Sequence, residues 1–144
     1  MICNKLSKVY SRLEKESITV EYVPFLQEQK AISFCSNSNK FWIGLNPNLR
    51  ISEREELCVL MEEEAHYDVG IIPNDYNSDS YCDVISREKN EVRAKRLAVR
   101  RLIPKEKLFD YFKTKNYIDI EELSDYFEVT PQFMKDALVV YGLN

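Results

Sequence analysis

Residues 57–70, LCVLMEEEAHYDVG, decide how this chain is read. Wound at about 100° per residue, they place Leu57, Cys58, Met61, Ala65 and Val69 on one arc of roughly 120°. Such an arc is the core-facing stripe of an amphipathic helix. Beside it stand Glu62 and His66, one turn apart, with Glu63 displaced toward solvent. Upstream, Ser52 followed by Glu55 fits a capping box, and downstream Gly70 is a candidate C-cap. The stretch Glu53–His66 carries six glutamates and one arginine, which a solvated acidic face would explain by itself. There is a second reading. Two metal donors four residues apart, with a carboxylate directly after the first, reproduce the spacing of H-E-x-x-H zinc hydrolases. In those sites the i and i+4 side chains reach one ion, and the intervening Glu takes a proton from water. Here the run is Glu62-Glu63-Glu64-Ala65-His66, and spacing alone leaves both readings open.

Working outward, residues 2–15 set Leu6, Val9, Tyr10 and Leu13 at helical spacing. Three short runs rich in β-branched and aromatic residues follow: Ile18–Phe25, Ala31–Cys35 and Lys40–Leu45. Polar turns separate them, so they read as a small three-stranded antiparallel meander, with Pro24 ending the first strand or marking an edge. Beyond Gly70, residues 71–86 have turn composition and no period, and read as a long loop. A second long helix is expected over about Arg87–Ile103, closed by Pro104. Lys105–Lys113 and Ile120–Phe127 read as short helices, and a last one starts at Pro131 with Thr130 as N-cap and ends at Gly142. The order of helix, small sheet, then helices is α+β. No repeat or linker divides the chain, so a single domain over 1–144 is expected, with a core over 1–104 and a helical tail over 105–144.

The second helix carries the other half of the signal. Glu91, Ala94, Ala98 and Leu102 share a face, and two alanines beside a carboxylate let the helix pack closely with Glu91 aimed into the contact. The alternative is a surface pair of Glu91 with Arg87 or Lys95. From Arg87 to Lys107 there are nine Lys or Arg against three Glu, and the six-glutamate helix is the obvious neighbour for such a basic one.

Composition excludes several classes. A chain of 144 residues with 44% hydrophobic residues can bury a real core, which rules out a disordered protein. No apolar run reaches the roughly 18 residues of a membrane span, and the N-terminus has no signal-peptide core. Cys3, Cys35, Cys58 and Cys82 form no C-x-x-C pair, so free thiols in a reducing cytoplasm are expected. The formal charge of −4 offers nucleic acid no general attraction. With His66 the only histidine, a two-histidine metal site within one chain is impossible.

LCVLMEEEAHYDVG, followed 25 residues after His66 by EVRAKRLAVRRLIP, resembles the ImmA/IrrE family of metallopeptidase-like proteins of phages and integrative elements. The family's first helix commonly reads L-x-H-E-x-G-H, and a branch has L-x-E-E-L-G-H-Y. Its second reads E-x-x-A-x-x-x-A-x-x-L-[LIM]-P; Glu91, Ala94 and Ala98 match it in register, and Leu102, Ile103 and Pro104 follow one residue later than the pattern's ending. The tail IEELSDYFEVTPQFMKDAL resembles the ending of the same branch, so the similarity covers nearly the whole chain. The resemblance implies a zincin-like active-site helix with Glu63 as general base and Glu62, His66 and Glu91 as metal ligands, for Zn²⁺ or alternatively Mn²⁺. Glu62 stands where the family has its first histidine, and Glu64-Ala65 where the branch has Leu-Gly. One histidine and two carboxylates make a harder, more negative donor set than the usual zinc site, which weakens acidification of water. The role implied is a metal-dependent endopeptidase that cleaves or inactivates a cognate helix-turn-helix repressor. The alternative is a catalytically impaired member that binds such a repressor or serves as a toxin–antitoxin component.

Other residues have plainer readings. The tail from Ile120 to Leu143 has a helix-turn-helix outline, but residues 131–143 offer only Gln132 and Lys135 to DNA, against Asp136, so direct DNA binding is not expected. Cys82 reads as a plain thiol, Cys58 as packing, and Phe41 and Trp42 as core. The open edge of the meander suits an extended substrate strand.

Overall fold

The computed structural model describes residues 2–24, 28–36, 38, 40–70, 81–115 and 117–144, with side chains from residue 4 and, in the helix that begins at Tyr81, from residue 88. Helix α1 (Ile2–Lys15) is followed by strands β1 (Thr19–Tyr22), β2 (Ala31–Cys35) and β3 (Phe41–Leu45). A 3-10 turn over Pro47–Ile51 leads into α2 (Glu53–Asp68), and then come α3 (Tyr81–Leu102), α4 (Lys105–Phe112), α5 (Ile120–Phe127) and α6 (Pro131–Val140). The architecture is α+β, with helix first, sheet second and a helical C-terminal half. Among the described residues, no helix is long and apolar enough to cross a membrane.

Local chemistry sets most boundaries. The Ser52 hydroxyl accepts a hydrogen bond from the Glu55 amide at 3.3 Å and starts α2, where Glu53, Glu55 and Glu56 place negative charge at the positive end of the helix. Gly70, at φ 80°, provides the left-handed step after α2. Thr130 caps α6 through the Phe133 amide at 3.2 Å, with Pro131 in the first turn. Ser17 and Glu128, at φ 59° and 57°, make left-handed exits from α1 and α5. The following amides close back on the helices, from Ile18 to the Leu13 carbonyl and from Val129 to the Ser124 carbonyl.

The sheet is not the antiparallel meander expected from sequence. Its order is β1-β3-β2, with β1 parallel to β3 and β2 antiparallel to it. The cause is burial. In β3, Phe41, Ile43, Gly44 and Leu45 are all buried, whereas Ile32 and Phe34 of β2 are half exposed. The most apolar strand therefore takes the centre, and residues 23–30 are enough chain to carry β2 past it to the far edge. Gly44 is required at its position, because a Cβ there would lie 2.7 Å from Val23 Cγ2 and 3.1 Å from Ile32 Cγ2. The buried residues of β3 belong to one buried cluster with Leu57 and Leu60 of α2, which also takes in Val99, Leu123 and Met134.

Helix α3 begins at Tyr81, six residues before the expected start, so residues 81–86 are helix rather than loop. Their composition does not favour a helix, but extending a formed helix adds one hydrogen bond per residue fixed. The expected loop over 71–80 lies outside the described residues, while β1 ends at Tyr22, short of the expected Phe25, with Pro24 in the turn that follows.

Candidate functional site

Helices α2 and α3 pack closely, and Ala94 and Ala98 of α3 are fully buried. Their facing i, i+4 pairs meet as two rungs. His66 Nε2 lies 2.9 Å from Glu91 Oε2, and one turn away Lys95 Nζ donates to Glu62 Oε1 at 2.6 Å. The alanine face thus aims Glu91 at α2 as its spacing implies. It aims Lys95 there too, one turn on, and that residue's role is absent from the sequence reading. The i, i+4 relation of Glu91 to Lys95 was visible, but each residue finds its partner across the helix contact rather than along α3.

Three consecutive glutamates of α2 meet three different surroundings. Glu62 is tied to Lys95, which also donates to Asp136 Oδ2 of α6 at 3.1 Å. Glu64 is buried and held by both its oxygens: Arg12 of α1 donates from Nε at 3.0 Å and Nη2 at 2.9 Å, and Arg101 of α3 from Nη1 at 3.0 Å. Arg101 also reaches Asp68 at 2.5 Å, so the basic helix does neutralise the acidic one. Glu63 differs from both. Its side chain is 12% exposed against 32% for Glu62, which corrects its expected displacement toward solvent. The sheet edge covers that flank of α2. Glu63 Oε2 is buried without a hydrogen-bond partner, and His66 Nδ1 stands 3.5 Å away. A buried carboxylate oxygen without a hydrogen bond among the described residues is costly, and the His66 imidazole is the charge partner that offsets this when protonated.

Glu63 and His66 line a cleft of about 430 Å³ whose opposite wall is Gln29, Ala31, Ile32 and Ser33. That wall is the edge of the sheet, because among the described residues β2 pairs only with β3. The Asn46 amide donates to the Lys30 carbonyl and the Ser36 amide to the Lys40 carbonyl, so even-numbered residues of β2 turn their backbone groups toward β3. Ala31 and Ser33 therefore turn theirs outward, over the cleft. An extended peptide can hydrogen-bond to that edge and lie across Glu63 and His66.

The electrostatics follow from these contacts. Burial is the largest influence on His66 and disfavours its charged form, but the carboxylates of Glu63 and Glu91 together outweigh it and raise the imidazole pKa. At Lys95 burial again acts downward, and Glu62 and Asp136 outweigh it, so the ammonium is held charged. Burial pushes the Cys58 thiol up to about 11. The side chains of Cys3 and Cys82 lie outside the described residues.

The structure thus brings His66, Glu91 and Glu63 together and draws Glu62 into a separate ion pair. Among the described residues, no three His, Cys, Asp or Glu side chains are gathered closely enough to hold a metal ion. The donor chemistry fits a divalent ion at the His66–Glu91 rung, beside the unpaired Glu63 oxygen, and Glu62 fits as a third ligand only on leaving Lys95. Residues 13–138 match the M78 peptidases, the family described as the IrrE N-terminal-like domain. No curated protein and no solved structure matches the chain.

Proposed function

Because the chain belongs to the M78 peptidase family and is metallopeptidase-like, we propose that it is a metal-dependent endopeptidase acting on an extended segment of a helix-turn-helix repressor in the cytoplasm of its host. The observation that carries this reading is the cleft itself. An outward-turned strand edge, an unpaired buried carboxylate and a histidine face one space. Peptide hydrolysis needs these groups in that relation. The scissile segment pairs with Ala31 and Ser33 as an added strand, which fixes its carbonyl over α2 and keeps it extended. Glu63 Oε2, which makes no hydrogen bond among the described residues, accepts a proton from the attacking water and delivers it to the leaving amine as the C–N bond breaks. Glu62, His66 and Glu91 are the side chains that would hold Zn²⁺ or Mn²⁺. A bound ion supplies Lewis-acid polarisation of the carbonyl and acidifies water.

Glu63→Gln tests the assignment. It should abolish cleavage of the cognate repressor while metal uptake survives, since only the base is lost. Cleavage at the wild-type rate in Glu63→Gln would remove the peptidase reading. The Glu62–Lys95 ion pair favours one other reading, a family member that neutralises its repressor by binding alone. That version keeps full repressor inactivation in Glu63→Gln and loses it on substitution of the partner-facing surface.

A further inference from the structure

The two rungs between α2 and α3 are equivalent in geometry and opposite in consequence. At one, His66 faces Glu91, two groups able to ligate an ion. At the other, Glu62 faces Lys95, a potential ligand opposite a cation. Lys95 is not a loose surface lysine. Its side chain is one-third exposed, and it is anchored between Glu62 of α2 and Asp136 of α6, with the Phe133 ring 5.8 Å from its ammonium. Asp136 is braced in turn by Gln132 Nε2 at 3.1 Å. The lysine therefore has two carboxylate partners and a support on α6, and Glu62 is satisfied without any metal.

From this arrangement we infer that Lys95 is the residue that sets metal affinity. Its ammonium competes with a divalent ion for Glu62, so that the third ligand engages only when the Lys95–Glu62 pair opens. The inference rests on the metal-site reading above and deepens it. A cation fixed on Glu62, one turn from the His66–Glu91 rung, withholds a donor from an incoming ion. The pair also couples the site to α6, because movement of Asp136 relative to α3 changes what holds Lys95. A partner that draws α6 away from α3 would hand Lys95 wholly to Glu62, whereas one that captures Lys95 would free Glu62 for the ion.

The test is calorimetric titration of the full chain with Zn²⁺ and, separately, Mn²⁺. The variants are Lys95→Met, Lys95→Gln, Glu62→Gln, His66→Ala and the double substitution Lys95→Met with Glu62→Gln. Both lysine variants should bind at least about tenfold more tightly than wild type, because Glu62 is released from its Coulombic pairing with the ammonium. That gain should vanish in the double variant, because it acts through Glu62. Lys95→Gln puts a neutral polar group of about the same length as Met at the position and guards against a packing effect particular to Met. Unchanged or weaker binding in both lysine variants overturns the inference, as does a gain that persists without Glu62. In those cases, wild-type binding that disappears in His66→Ala leaves the metal site standing. No binding by any form, the lysine variants included, overturns the inference and the metal site together.

Discussion

Helix α2 has two flanks that use the same residue type for opposite ends. On one, Glu64 is buried beneath Arg12 and Arg101, with three hydrogen bonds at 2.9–3.0 Å that fasten α1, α2 and α3 to each other. On the other, the adjacent Glu63 is nearly as buried, yet one of its oxygens has no hydrogen bond and faces a cleft. Exposure does not separate the two, and neither does sequence, since they are neighbours in a run of three glutamates. Satisfaction does. A buried carboxylate whose lone pairs are all engaged stabilises the fold, whereas one left open is free to take a proton or a ligand. Glu62 lies between these cases, satisfied by a lysine in a contact about one-third exposed.

If that contrast is right, the sharpest way to break it is to make the same change at both positions. Glu63→Gln should lower the rate of repressor cleavage by roughly 10²–10⁴, the usual contribution of a general base. The urea midpoint should barely move, because no hydrogen bond is lost. A large loss of stability in this variant would show that Glu63 is structural after all. Glu64→Ala should do the reverse, costing about 2–3 kcal/mol in chemical denaturation. That is below the range for a fully enclosed pair, because Arg12 is 47% exposed and keeps its water. Glu62→Ala, at a contact open to solvent, should cost less than about 1 kcal/mol.

How far the sequence carries depends on whether a partner is local. The caps of α2 and α6 are legible because Ser52 and Thr130 each bond an amide three residues on, and the core arc of α2 is legible from its period. His66 and Glu91 could be singled out because the alanine face of α3 fixes which way Glu91 points. Strand order was beyond reach. β1, β2 and β3 are all short and β-rich, and what sorts them is relative burial against helices elsewhere in the chain. The partner of Lys95 was hidden for a similar reason. Glu91 is its nearest acid along α3, while Glu62 lies 33 residues away in sequence and wins through packing. The start of α3 was misread because residues 81–86 are weak helix formers that the rest of the helix carries.

The strand-edge half of the cleft can be tested apart from the carboxylate half. Ser33→Pro removes an outward-pointing amide from β2 without touching the ladder to β3, and edge strands tolerate proline at such positions. KM for the repressor should rise about tenfold, with kcat little changed and stability within about 1 kcal/mol. Equal loss of metal uptake would mean that the substitution distorted α2 rather than the edge.

The smallest effect sharpens the contrast from inside α2. Cys58 sits one turn before Glu62, 5% exposed, with its thiol pushed up to about 11 from an ordinary 9.0, chiefly by burial. A raised native pKa means that the proton is held more tightly in the folded state. The stabilisation is therefore complete below the unfolded value and is lost as pH rises through the native one. Stability should fall by a small increment between about pH 9 and pH 11, and Cys58→Ala should flatten that step in a series of denaturation midpoints. At pH 8 the native thiol is ionised to only about one part in a thousand, so alkylation, mapped by mass spectrometry, must wait for α6 to lift from α2. Breaking the Lys95–Asp136 contact with Asp136→Asn should speed that labelling by a few-fold, because it loosens the flank on which Cys58 lies. Glu63→Gln should leave the labelling rate alone. A rate that rises equally in both variants would mean that α2 opens as a unit and has no separate flanks.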